Sequence, residues 1–282
     1  MDDGSTGPAP ATGMDALLPA AMARRAEDLG VVKATLPLDR LIALSVLAGS
    51  FIGFGAMFAT VATADADLSF AVSRVLGGVV FSLGLVLVVV GGAELFTGNA
   101  LLVMAVASRR VRVRALLRNW AVVLVGNACG AIGLAVLVVW SGTLDGSGGA
   151  IGRRAVEIGT AKTSLDVGEA IASGVVANVL VCLAVWMTLS ARSVTDRVLV
   201  VILPVSAFVA GGFEHSIANM YLLPVALLRR NEVTELGVPV SPDLTWANAV
   251  THNLLPVIVG NVIGGSLLVG ATYWFVYLRR RD

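Results

Sequence analysis

Glu214 and His215 stand side by side in the stretch Phe208 to Pro224, FVAGGFEHSIANMYLLP, between apolar runs long enough to lie inside a bilayer. An ionisable side chain at membrane depth is costly and by default marks a functional site. The chemistry open to such a pair is hydrogen bonding to a passing solute, or proton exchange with it. The preceding glycines, Gly211 and Gly212, loosen a helix at that depth. The result is a broken, polar turn in an apolar wall.

A second stretch has the same build. Gly91-Gly92-Ala93-Glu94, with Asn99 five positions after the glutamate, matches Gly211-Gly212-Phe213-Glu214, with Asn219 at the same offset. Asn119 followed by Gly126-Asn127 and Gly130 then matches Asn253 followed by Gly260-Asn261 and Gly264. Two breaks brought together would aim freed backbone amides, which carry partial positive charge, at an anion. The first break supplies Glu94, Thr97 and Asn99; the second supplies Glu214, His215 and Asn219. Thr97 and His215 are the natural lining pair, because a hydroxyl can fix which imidazole nitrogen faces the solute.

Each residue also has a plainer role open to it. Glu94 and Glu214 occupy matched positions, which suits a scaffold that accepts hydrogen bonds from the freed amides, with proton transfer as the alternative. His215 has no histidine counterpart and aligns with Leu95, so it lines a pathway or is a satisfied core histidine. Asn99, Asn127, Asn219 and Asn261 read as helix-break and interhelix glue. Lys162 is either a surface charge or a vestibule charge that concentrates anions. Phe81, Leu85, Leu95, Phe96 and Phe208 are core packing or an apolar constriction.

The elements that hold these residues are transmembrane helices. The chain has 282 residues, 57% hydrophobic and 14% charged, with mean hydropathy +0.87, against about 25% charged in a soluble domain. A net charge of +1 offers no basic field for nucleic acid. Cys129 and Cys182 both fall in apolar segments with no metal-ligand spacing. No metal or cofactor is expected.

Six spans of roughly 20 residues or more can be drawn: Leu38 to Ala64, Phe70 to Ala107, Asn119 to Trp140, Ala170 to Leu189, Val198 to Leu228, and Trp246 to Leu278. The second and fifth are broken at GGAELFTGN and at FVAGGFEHS. Residues 1–36 read as a cytoplasmic tail with a short interfacial helix, its apolar stripe being Leu17, Leu18, Met22, Ala26 and Leu29. Residues 37–278 form the transmembrane domain and residues 279–282 a second tail. Fourteen Lys and Arg fall on the side of the termini and six on the other, which predicts cytoplasmic termini, with Arg229-Arg230 against the trend. Three spans per repeat unit make the second copy inverted relative to the first, a plan used for solute pathways.

The words GGAELFTGN, NWAVVLVGN, ANVLVCLAVWM, GFEHSIANMYLLP and NLLPVIVGNVIGG together resemble the formate/nitrite transporter family of pentameric anion channels, over Leu38 to Leu278. The resemblance implies an all-α, aquaporin-like fold with one pore in each of five protomers. It implies that His215 is the central pore histidine, Thr97 its hydrogen-bonding partner, Glu214 and Asn178 its polar support, and Lys162 a vestibule lysine. It also implies that Phe81, Leu85, Leu95, Phe96 and Phe208 narrow the pore. GAELFTGN departs from the Asp and Ser variants of some formate channels. Nitrite and hydrosulfide branches share the EHS-AN core, while FEHSIANMYLLP is closer to the formate type.

The expectation is therefore a plasma-membrane homopentamer that conducts small monovalent anions, formate first, with protons as a co-transported partner if His215 relays them. A nitrite or hydrosulfide channel is the alternative within the family. A water or neutral-solute channel is disfavoured by the lack of paired Asn-Pro-Ala motifs. An intramembrane enzyme is disfavoured by the lack of HExxH.

Overall fold

The computed structural model describes residues 16–64 and 67–279. The Gly- and Pro-rich start of the N-terminal tail and nearly all of the C-terminal tail, Arg280 to Asp282, lie outside the described residues. The described chain is built of helices: α1 (Pro19–Ala34), α2 (Leu38–Thr63), α3 (Phe70–Gly91), α4 (Val103–Ala107), α5 (Val113–Trp140), α6 (Gly146–Thr163), α7 (Val167–Thr188), α8 (Val194–Ala210), α9 (Ser216–Glu235) and α10 (Trp246–Tyr277). Five of these, α2, α3, α5, α7 and α10, are long and apolar enough to cross a membrane. Helix α10 carries wider π-type turns at Ala249–Leu254 and Ile263–Ala271.

Close helix contact depends on glycine at matched places in α5 and α10. A Cβ on Gly130 would collide with the Val46 carbonyl oxygen of α2, and one on Gly264 would collide with the Val175 carbonyl oxygen of α7. Only hydrogen fits there. With no hydrophobic drive between helices in lipid, such backbone approach supplies the packing contact that holds them together. Leucines, valines and phenylalanines cover the outside, among them Phe58, Val79, Leu137 and Leu203. The buried polar residues gather in the interior instead.

Two elements differ from expectation. The polar segment between α5 and α7 holds helix α6, whose regular turns follow the positive-φ residues Ser147, Gly148 and Gly149. Its buried face is Ala150, Gly152, Ala155, Val156, Gly159 and Thr163, mostly small residues that leave no apolar stripe to read. Gly159 seats it on α9, since a Cβ there would collide with that of Ala226. Helix α1 buries Met22, Ala23, Ala26, Gly30 and Ala34, whereas Leu18 and Leu29 of the expected stripe are exposed. Gly30 explains the rotation: a side chain there would begin only 3.0 Å from the Ala105 Cβ of α4, so its absence lets the two helices meet on that face.

Candidate functional site

Helices α3 and α8 end in the same way. Gly92 and Gly212 take φ of 76° and 74°, the left-handed region that a side chain strains to reach. Each turn closes with an amide reaching back five residues, Ala93 to the Val88 carbonyl and Phe213 to the Phe208 carbonyl, both at 3.0 Å. That is the Schellman stop, which satisfies carbonyls left over at a helix end. After the first stop the chain resumes as a 3-10 turn, Gly98–Leu102, and then short α4; after the second it resumes as α9.

Asparagines, rather than the expected glutamates, receive the freed amides. Asn127 Oδ1 accepts from Phe96 N and Asn261 Oδ1 accepts from Ser216 N, each at 2.9 Å. Asn127 Nδ2 donates to the carbonyls of Ser45 and Glu94, and Asn261 Nδ2 donates to those of Gly174 and Glu214. The two asparagines therefore pin each break to α2 or α7. The glutamate side chains are engaged elsewhere, by stronger charge-assisted donors.

Glu94 Oε1 accepts from Lys33 Nζ at 2.7 Å, and Glu214 Oε1 accepts from Lys162 Nζ at 2.8 Å. Glu94 Oε2 takes a bond from Asn99 Nδ2 at 2.7 Å, and Glu214 Oε2 takes one from Asn219 Nδ2 at 2.6 Å. Asn99 and Asn219 donate onward to Asn119 and Asn253, whose own Nδ2 groups return to the Lys33 and Lys162 carbonyls. These two lysines are the only ones in the chain. Each sits in the last turn of the helix before a membrane-length helix, α1 before α2 and α6 before α7. Lys33, a tail residue by its position in sequence, is thus the counterpart of Lys162.

His215 breaks this symmetry. It caps α9, its Nδ1 accepting from Ala218 N at 3.2 Å. Its Nε2 stands 2.9 Å from Thr97 Oγ1 in the other break. A neutral imidazole whose Nδ1 accepts carries its hydrogen on Nε2, so Nε2–H donates to the threonine. The Thr97 hydroxyl hydrogen is then free to point elsewhere. Thr97 is fixed through its carbonyl, which accepts from Asn178 Nδ2 at 3.3 Å, while the same amide bonds the Asn261 carbonyl at 2.6 Å.

Two cavities meet at His215. A cavity of about 530 Å³ is lined by Arg74, Arg154, Glu157, Lys162, Glu214 and Asn219, and also by Phe81, Phe208 and His215. A second, of about 10 Å³, lies among Ile52, Phe81, Leu85, Leu95, Val181, Val205, Phe208 and His215. That is at the lower limit for one water, and its walls are apolar apart from the imidazole. Phe81 meets Phe208 edge-on at 5.6 Å, and Phe208 stacks over His215 at 5.8 Å. Four of the five residues expected at the constriction come together here. Phe96 does not line either cavity and packs edge-on against Trp120 at 6.1 Å instead. Ile52, Val181 and Val205 complete the collar, and nothing in the sequence separates them from any other span residue.

This arrangement offers one hydrogen-bonding station inside an apolar collar that shares its wall with a charged cavity. Among the described residues no cluster of His, Cys, Asp or Glu is placed to hold a metal.

The sequence model for the formate/nitrite transporter family matches residues 20–275. The chain is 44% identical to the formate channel FocA of Escherichia coli (strain K12), over 95% of this chain and 97% of that protein. It is 34% identical to a probable formate transporter of Methanothermobacter thermautotrophicus, over 93% and 97%. A solved structure, a pentameric formate channel with formate bound, superposes with a TM-score of 0.80 at 42% identity, covering 86% of this chain and 98% of that one. Another, an FNT family ion channel, gives 0.76 at 28% identity, covering 92% and 98%. The family match takes in every described helix but for the first residue of α1 and the end of α10, and the chain belongs to the formate/nitrite transporter family.

Proposed function

We propose that this protein is a membrane channel for small monovalent anions, formate first, with the pathway passing from the large cavity through Phe81 and Phe208 to His215 and Thr97. The observation that carries this reading is the Thr97–His215 hydrogen bond of 2.9 Å at the junction of a charged cavity and an apolar collar. Its support from relatives is the FocA identity and the bound formate of the similar pentameric channel. Lys162, Glu214 and Asn178 serve the pathway, and Glu94, Asn99 and Asn219 serve the breaks.

A bare formate ion entering the collar loses its hydration, whereas formic acid crosses at much lower cost. Proton linkage follows if His215 first takes up a proton at Nδ1, releasing Ala218 N, and the imidazolium then gives its Nε2 proton to the anion, which leaves a neutral ring. If Nε2–H only hydrogen-bonds the ion, the flux is that of the anion itself.

The chain crosses the membrane six times, α8 with α9 making the fifth crossing and α3 with its return making the second. The halves α1 to α5 and α6 to α10 are inverted copies, a reading supported by the paired Asn127–Asn261 and Lys33–Lys162 networks. Both termini face the cytoplasm, residues 37–278 form the channel domain, and five protomers assemble in the plasma membrane. Arg229, which opposes this orientation by charge count, is neutralised by Asp145 and Glu232, and Arg230 is bound to the Leu244 carbonyl.

Uptake of formate into proteoliposomes, with nitrite, hydrosulfide and lactate as competitors and with or without a pH gradient, tests the reading. Saturable formate uptake supports it. Osmotic water or neutral-solute flux without anion flux would replace it with the neutral-channel alternative.

A further inference from the structure

Three basic side chains line the large cavity: Arg74, Arg154 and Lys162. Two of them already have a carboxylate. Lys162 Nζ lies 2.8 Å from Glu214 Oε1, and Arg154 Nη1 lies 3.1 Å from Glu157 Oε2. Glu157 and Glu214 are the acidic residues in the lining. The excess of one positive charge therefore belongs to Arg74, which makes no ion pair among the described residues. Its contact is with the Phe70 ring, 5.2 Å from guanidinium carbon to centroid, and a ring quadrupole does not cancel the charge.

The placement of Arg74 also departs from the repeat. Its guanidinium covers the turn that leads into Glu214 and His215: a Cβ on Gly212 would lie 3.3 Å from Nη1 and 3.5 Å from Nη2. Gly92, the matching turn of the other half, has nothing within 4 Å. Arg74 lies just beyond the first turn of α3, near the positive end of the helix dipole, where a cation gains no helix stability. It is also exposed, whereas the Lys162 side chain is 13% exposed. An exposed guanidinium in this cavity, with no carboxylate partner among the described residues, is open to a small anion.

We propose that Arg74, rather than Lys162, supplies the uncompensated charge that concentrates small anions in the cavity ahead of His215. This rests on the anion-channel reading above and assigns its entry selectivity to one side chain. Lys162 then acts mainly as the fixed partner of Glu214. Because Arg74 acts through its field on an exposed surface, its effect falls on the half-saturating concentration and on salt dependence, and spares the maximal rate.

The test is the initial rate of formate influx into proteoliposomes, over a range of formate concentrations and ionic strengths, for wild type, R74Q, R74K, R74E and E157Q. Nitrite serves as a second probe, and the chromatographic profile in detergent checks assembly. In low salt, R74Q is expected to raise the half-saturating concentration about threefold and R74E about tenfold, with R74K close to wild type. E157Q, which frees Arg154, is expected to lower it. The differences collapse near 1 M salt, where the screening length is about 3 Å. A wild-type curve for R74Q at every salt concentration overturns the proposal, as does an R74K as impaired as R74Q in maximal rate alone. A wild type that takes up neither anion overturns the channel reading and the proposal together, which separates the two failures.

Discussion

Thr97 and His215 lie 118 positions apart and meet at 2.9 Å, with the imidazole donating and the hydroxyl accepting. The direction follows from the cap: Nδ1 is occupied by the Ala218 amide, so Nε2 holds the hydrogen. The start of helix α9 thus sets the tautomer that faces the pathway.

Removing the acceptor should free the ring. Thr97→Val keeps the shape and leaves Nε2–H buried without a partner, at a cost of about 1–3 kcal/mol. Formate flux is expected to fall about tenfold, which corresponds to about 1.4 kcal/mol at the barrier. Thr97→Ser, with its hydroxyl retained, should stay within about twofold of wild type. Stopped-flow uptake by the three proteins checks this, and equal flux in all three would count against a role for the hydroxyl.

The asparagine latches should matter more for folding than for conduction. Asn261→Leu leaves the Ser216 amide and the Gly174 and Glu214 carbonyls without their partner. With each orphaned group costing about 1–3 kcal/mol, a loss of about 3 kcal/mol or more is expected. Asn127→Leu should behave alike, because its bonds are the same in kind. Thermal unfolding in detergent reads this out, and a melting temperature unchanged in both variants would refute the latch.

The lysine–glutamate pairs give a cycle. Lys162→Met strands the Glu214 carboxylate at 5% side-chain exposure. Breaking one partner of a buried pair typically costs about 3–5 kcal/mol, while replacing both is much closer to neutral. The double variant Lys162→Met/Glu214→Gln is therefore expected to melt higher than Lys162→Met. The same order should hold for Lys33→Met against Lys33→Met/Glu94→Gln. Additive losses in both cycles would argue that the pairs are not coupled.

Much of this site can be read in the chain because the chemistry is unusual for its surroundings. A Glu-His pair in an apolar run stands out, as does a glycine–glutamate–asparagine spacing that occurs twice. What is not legible depends on distance or on blandness. Lys33 reaches Glu94 across 61 positions, and it sits ahead of the first span, outside the words that repeat. Helix α6 buries small residues, so periodicity has nothing to detect. Glu94 and Glu214 adjoin the breaks, which makes them the obvious acceptors for the freed amides. The lysines draw the carboxylates away, and the task falls to amide oxygens from α5 and α10. Phe96 teaches the same lesson: the turn that carries Thr97 inward swings Phe96 toward Trp120.

Close approach of α2 and α5 gives a test of the helix packing. A Cβ on Gly49 would collide with the Asn127 carbonyl oxygen, which is backbone and cannot step aside. Gly49→Val should abolish folded protein on size-exclusion chromatography. Gly133→Ala, where nothing lies within 4 Å, should leave the profile unchanged. A monodisperse Gly49→Val peak at wild-type yield would contradict the packing.

The central claim is that formate passes by His215 and that this ring sets the flux. His215→Asn is the sharpest probe, because asparagine is a good N-cap and can still accept from Ala218 N while it can neither bind nor release a proton. Formate influx into proteoliposomes is measured for both proteins between about pH 5 and pH 8. Wild-type flux is expected to saturate and the variant's flux to be lower at every pH, and a pH dependence that only the wild type shows would add proton relay by the ring. Equal flux from the two proteins at every pH would contradict the claim.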